Sequence, residues 1–269
     1  MAIGKNLEKM FSLENKVILL TGAAGGIGEV LAKGLAGAGG EMALCDIALD
    51  RLAVVEKAIK DAGDSAKSYE MNVMKLDSIH SCVEKIIADF GRIDVLINCA
   101  GINKREGFLD VEEETYDRIM DINLKGLYFL SQDVAKHMMK AGKGNIINMA
   151  SHNSVAMLGG CSVYGASKSG VSALTRSMAV EWAQYGIRAN ALAPGHILTP
   201  LTTVTWDHPE RSKYLKERIA MQRPGTPEEL VGVTVMLASD ASSYMSGMMV
   251  HIDGGCLAGG TPWDYDTKY

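Results

Sequence analysis

The chain has 269 residues, 47% of them hydrophobic, with 27 basic and 32 acidic side chains and a formal charge of −5. That is enough apolar material for a large core, while the acidic balance argues against a nucleic-acid or anionic-membrane partner, which needs a basic face. No apolar run approaches the ~18 residues of a membrane span, and the mixed, charged start from Met1 to Lys16 lacks the apolar stretch of a secretory signal.

Apolar strand-like runs are predicted at 17–21, 41–46, 67–72, 93–98, 144–150, 187–193 and 248–253. Helical patterns fill the gaps at 27–38, 50–62, 76–90, 112–141, 163–185 and 227–238. Strand–helix alternation of this kind predicts an α/β fold: a Rossmann-type, doubly wound parallel sheet of about seven strands with helices on both faces. Runs such as Val17-Ile18-Leu19-Leu20 are apolar throughout, as strands covered on both faces are. No Pro/Ser-rich linker or repeat divides the chain, so one domain over 1–269 is expected. The stretch 195–226 breaks the rhythm with prolines and a tryptophan, and its middle, 210–221, could form a short helix. Following a strand end, where ligands sit in this architecture, it is expected to be a substrate lid. The tail, 256–269, carries Trp263, Tyr265 and Tyr269 and is expected to dock against the protein, a neighbouring subunit's cleft being one such surface. The cysteines at 45, 82, 99, 161 and 256 have neither metal-ligand nor redox spacing. They read as small buried residues of a reducing, cytoplasmic compartment, and no metal is expected.

After the first strand comes Thr21-Gly22-Ala23-Ala24-Gly25-Gly26-Ile27-Gly28, leading into a helix. Glycines permit the tight turn and close approach to a pyrophosphate, and the helix start offers free N–H groups with a partial positive charge. Gly22, Gly26, Ile27 and Gly28 are therefore candidate dinucleotide contacts. Asp46 ends the second strand, where an acid can accept hydrogen bonds from the adenosine ribose and would repel a 2′-phosphate. With no Arg or Lys in the turn or beside Asp46, NAD is expected over NADP.

Tyr164 and Lys168 fall one turn apart on a predicted helix. A free phenol titrates near ~10, and a neighbouring ammonium is expected to lower that value, so the phenol could exchange a proton with an alcohol or carbonyl oxygen. Ser151, at a strand end, could hydrogen-bond the same oxygen. A nucleophilic serine hydrolase does not fit: Met149-Ala150-Ser151-His152 lacks the glycines of G-x-S-x-G.

Over about 13–255 the chain resembles the short-chain dehydrogenase/reductase family. The resemblance rests on the glycine turn, Asn98-Cys99-Ala100-Gly101, Asn123, Ser151, Tyr164-x-x-x-Lys168 and Pro194-Gly195. It implies that Asn123 holds a water relaying protons to Lys168, and that Lys168 also binds the nicotinamide ribose. It implies that the turn with Asn98, Ala100 and Gly101 lines the cofactor cleft, as do Pro194 and Gly195. Ile197 and Thr199 would approach the carboxamide and pyrophosphate, and Asn72 and Val73 would flank the adenine. Asn72 stands where the family often has Asp, and Cys99 where it often has Asn. The resemblance also implies a homotetramer, with the helices at 112–141 and 163–185 supplying one interface.

The loop Gly101-Ile102-Asn103-Lys104-Arg105-Glu106 resembles that of gluconate 5-dehydrogenases and 2-deoxy-gluconate 3-dehydrogenases. Lys104 and Arg105 could meet a sugar-acid carboxylate, or form a solvated loop with Glu106 as local partner. His152 and His196 could bind a polyol or satisfy backbone groups. Val155, Met157, Leu158 and Trp206 suggest an apolar wall. The expected activity is NAD-dependent interconversion of a secondary alcohol and a ketone, on a sugar acid or polyol. A hydroxysteroid or other bulky alcohol, and a non-catalytic NAD-binding regulator, are the alternatives.

Overall fold

The computed structural model describes residues 4–260. Seven parallel strands form one sheet in the order β3-β2-β1-β4-β5-β6-β7. They are β1 Val17–Thr21, β2 Glu41–Asp46, β3 Ala66–Glu70, β4 Val95–Asn98, β5 Gly144–Met149, β6 Ile187–Pro194 and β7 Met249–Ile252. The predicted architecture is the one observed, with each strand in its expected place to within a few residues.

Strand periodicity builds a core on each face. In β1, Leu19 points into the layer closed by α4 (Leu76–Phe90), α6 (Leu127–Ala141) and α7 (Ser162–Trp182). Ile18 and Leu20 point into the opposite layer, under α2 (Gly26–Gly37), α3 (Leu49–Asp61) and α10 (Val231–Ala238). The strand order reverses between β1 and β4, which pair Leu20 with Ile97. A crevice opens outside the carboxyl ends at such a reversal, and Thr21, Asp46, Asn98, Met149 and Pro194 all end strands on that side.

Four segments differ from expectation. The predicted helix over 112–141 is α5 (Glu113–Met120), a π-helical turn (Asp121–Gly126) and α6. The segment 195–226 holds two helices, α8 (Thr203–Trp206) and α9 (Pro209–Lys216), and is tied at its base by a bridge between Ile197 and Gly225. A further helix, α1 (Lys5–Phe11), precedes the sheet. The last predicted helix opens as a 3-10 turn, Pro227–Leu230, under a Thr226/Glu229 capping box. The tail aromatics Trp263, Tyr265 and Tyr269 lie outside the described residues. Among the described residues no helix is long and apolar enough to cross a membrane.

Candidate active site

The glycine turn has the shape a pyrophosphate needs. Gly22 has φ +69°, and a Cβ there would lie 2.8 Å from the Ala100 Cα, so the turn packs directly on the β4 loop. A Cβ on Gly28 would fall 2.0 Å from the Gly22 carbonyl oxygen. A Cβ on Gly26 would press Thr199 and Pro200 at 3.2–3.3 Å, which places the base of the 195–226 segment against the turn. No side chain caps the start of α2 at Gly25, leaving its backbone N–H groups for an anion. Thr21 locks the two loops together, its Oγ1 accepting from the Cys99 and Ala100 N–H groups at 3.2 Å each. The cradle therefore fits a dinucleotide.

Asp46 stands beside it. Its Oδ2 accepts from the Ala24 N–H (3.1 Å) and its Oδ1 from the Ala48 N–H (3.0 Å), so the carboxylate is fixed against the glycine turn. Asn72 accepts from the Met74 N–H through Oδ1 at 3.0 Å. Val73 is pressed close to Gly126, where a Cβ would meet the Val73 carbonyl at 2.5 Å. Asn98 ends β4, and its buried side chain donates to Ser131 and Asn148 (2.9 and 2.8 Å), bracing β4 against α6 and β5. Ala100 and Gly101 form the rim. Beyond β6, Gly195 packs on Asp253, Ile197 is buried, and the Thr199 N–H is held by Thr202 Oγ1 at 2.8 Å.

Tyr164 and Lys168 lie on α7, and Ser151 follows β5. The phenol of Tyr164 lies near Ser151, which favours its ionised form, and the Ser151 Oγ accepts from the Asn153 N–H at 3.1 Å. Lys168 is buried, its Nζ 5.7 Å from the centre of the Tyr164 ring and donating to the Met149 carbonyl at 2.6 Å. The electrostatics correct the simple expectation of an acidified phenol. Burial raises the Tyr164 phenol, against a smaller opposing pull from Ser151. Burial also draws the Lys168 ammonium down to about 8. Asn123 sits in the π-helical turn and clasps Ile102, accepting from its N–H (2.8 Å) and donating to its carbonyl (2.9 Å). It also donates to Ser167 at 3.1 Å. A Cβ on Gly101 would lie 3.3 Å from Asn123 Oδ1 and 3.4 Å from Lys168 Nζ, so glycine lets these groups converge. Ser167, whose Oγ donates to the Tyr164 carbonyl at 2.7 Å, joins Asn123 to the Tyr–Lys turn. Nothing in the sequence marks Ser167 beyond its place immediately before Lys168.

His152 and His196 pack at a 60° tilt with ring centres 4.5 Å apart, and His196 meets Trp206 edge-on at 6.3 Å. Desolvation lowers both imidazoles, His196 to about 4, so the pair is neutral near pH 7. Arg105 lines a cavity of about 560 Å³, together with Glu106, Leu158–Gly160, Thr205 and α9 residues. Lys104 does not line it: its ammonium is held by Glu106 (2.6 Å) and Thr115 (3.1 Å). Val155 and Met157 are more than half exposed, so they form no closed apolar wall. Trp206 lines a separate cavity on the far side of α9.

A dinucleotide cradle at the sheet's reversal, beside a serine–tyrosine–lysine cluster, defines a Rossmann-type oxidoreductase that uses a nicotinamide cofactor. The family model described as enoyl-(acyl carrier protein) reductase matches residues 22–256. A 2-dehydro-3-deoxy-D-gluconate 5-dehydrogenase of Escherichia coli is 40% identical over 92% of this chain and 98% of its own length. A 3-oxoacyl-[acyl-carrier-protein] reductase of Thermotoga maritima is 39% identical over 91% of this chain and 99% of its own. Among solved structures, a gluconate 5-dehydrogenase from Burkholderia cenocepacia in complex with NADP and tartrate is similar at a TM-score of 0.91. It is 34% identical and covers 94% of this chain and 99% of the other. The chain belongs to the short-chain dehydrogenase/reductase family.

Proposed function

We propose that this protein interconverts a secondary hydroxyl and a ketone on a sugar acid, using NAD. The observation that carries the reading is the convergence of Ser151, Tyr164 and Lys168 at the end of β5, across Gly101 from Asn123. The nicotinamide, when bound, supplies hydride transfer. Ser151 and Tyr164, which act on each other's polar groups, are the pair that receives the substrate oxygen. Tyr164 exchanges the proton with that oxygen. Lys168 holds the nicotinamide ribose, and Asn123 fixes the Ile102 backbone and keeps the path to Lys168 aligned. Because burial keeps the phenol protonated, Tyr164 is poised at neutral pH to donate to a ketone, and alcohol oxidation should accelerate as pH rises.

A sugar acid is favoured by Arg105 in a cavity beside the site, and by relatives named for gluconate chemistry. NAD is assigned on Asp46, whose fixed carboxylate faces the glycine turn and would repel a 2′-phosphate. The Burkholderia relative binds NADP, so the assignment rests on Asp46 of this chain. The segment 195–226 acts as the lid, its base packed on Gly26.

Reduced-cofactor absorbance with gluconates, polyols and hydroxysteroids tests the reading. Turnover with gluconate-type acids supports it, turnover confined to hydroxysteroids refutes the substrate, and tight cofactor binding without turnover on any substrate indicates a regulator. Asp46→Ala should narrow the gap between NAD and NADP. An unchanged preference would remove Asp46 from the reading.

A further inference from the structure

The 560 Å³ cavity has two walls. One is the loop at 105–107 with the loop at 158–160, joined where the Glu106 N–H donates to the Gly160 carbonyl at 3.1 Å. The other is Thr205 and α9, with Glu210, Arg211, Tyr214 and Leu215. Arg105 and Arg211 thus reach one space from opposite sides, and neither guanidinium has an ion-pair or hydrogen-bond partner among the described residues. Most other arginines here are engaged: Arg92 by Asp94, Arg188 by three carbonyls, Arg218 by the Tyr214 ring and Arg223 by Glu229. Glu210 precedes Arg211 on α9 and makes no ion pair with it, as expected of adjacent helix positions. Glu106 gives one oxygen to Lys104. Its other oxygen, Oε2, is buried without a partner among the described residues. A buried carboxylate oxygen lacking a donor is costly and complements a hydroxyl.

One lining residue reaches toward the candidate site: Arg105 lies within electrostatic range of His196, whose ring packs on that of His152 next to Ser151. Resting on the sugar-acid reading above, we propose that Arg211 joins Arg105 to grip the substrate carboxylate from the lid side. The ligand class is a polyhydroxylated monocarboxylate, with its carboxylate between the guanidiniums and a hydroxyl toward Glu106. Binding the acid then draws α9 onto the loop at 105–107, so Arg211 selects acids over uncharged polyols of equal length.

The test is the affinity of D-gluconate and of D-glucitol for the protein carrying reduced cofactor, read from quenching of cofactor fluorescence. It is run on the wild type, Arg211→Gln and Arg211→Lys. Arg211 is exposed, so its variants should fold, and unchanged affinity for the reduced cofactor verifies that. The expected result is an Arg211→Gln affinity for gluconate about 10-fold or more weaker, with glucitol unaffected and Arg211→Lys intermediate. Equal effects on both ligands, no effect on gluconate, or a wild type that does not prefer gluconate to glucitol would each overturn the proposal. If gluconates are nevertheless turned over, only Arg211's role fails. If no polyhydroxy acid is turned over, the sugar-acid reading itself fails.

Discussion

Lys168 gives up its solvent shell to the Met149 carbonyl and the turn at Gly101, and its ammonium falls to about 8 as a result. Tyr164 moves the other way, because the same burial penalises a phenolate. The sequence shows that these residues share a helical turn, but not how dry the turn is, so it suggests an acidified phenol where burial dominates. The imidazoles behave similarly and carry a consequence for stability. In the unfolded chain His196 takes up a proton near 6.5, and in the folded protein only near 4. Between those values the unfolded state binds more protons, so the protein loses stability as pH falls from about 6.5 toward 4. His196→Phe keeps a ring against Trp206 and removes that titration. Urea unfolding across this range should show a shallower acid loss for the variant, and parallel curves would mean that His196 does not titrate as described.

At the scale of elements, the π-helical turn between α5 and α6 is where the chain departs most from its own pattern. Periodicity barely registers one extra residue in a thirty-residue amphipathic run, which is why 112–141 reads as unbroken. The break has a structural purpose in Asn123, which must reach Ile102 and Ser167 together, and π turns recur at functional sites for such reasons. Gly126 closes the turn against Val73. Gly126→Ala would force backbone apart there and should cost about 1–3 kcal/mol by overpacking, with weaker cofactor binding through Val73. A denaturant midpoint equal to the wild type would show that the turn yields freely. The strands were legible because β1 and β4 are apolar on both faces. α8 and α9 were harder to see: α8 is four residues long, and α9 is mostly exposed.

Across the whole molecule, chemistry written in adjacent residues was readable, and chemistry assembled from distant ones was not. The glycine turn and the Tyr–Lys pair each lie within eight residues and show in the sequence. The cavity joins residues 105–107, 158–160 and 205–215, and only folding brings them to one place. We propose that the protein is a homotetramer. Tyr116, Tyr128 and Val180, on α5, α6 and α7, are exposed (48%, 43% and 81%), a pattern that suits burial against a second copy. Sedimentation should give about four times the 28.8 kDa chain mass, and Val180→Glu should shift it to smaller species; a monomer in both would dispose of the interface. The central claim is that Tyr164 carries the proton between substrate oxygen and protein. Its most direct test is Tyr164→Phe, assayed for gluconate-type turnover and for NAD binding on the same preparation. Turnover should vanish while NAD binds as in the wild type; a variant that still turns over at a comparable rate would contradict it.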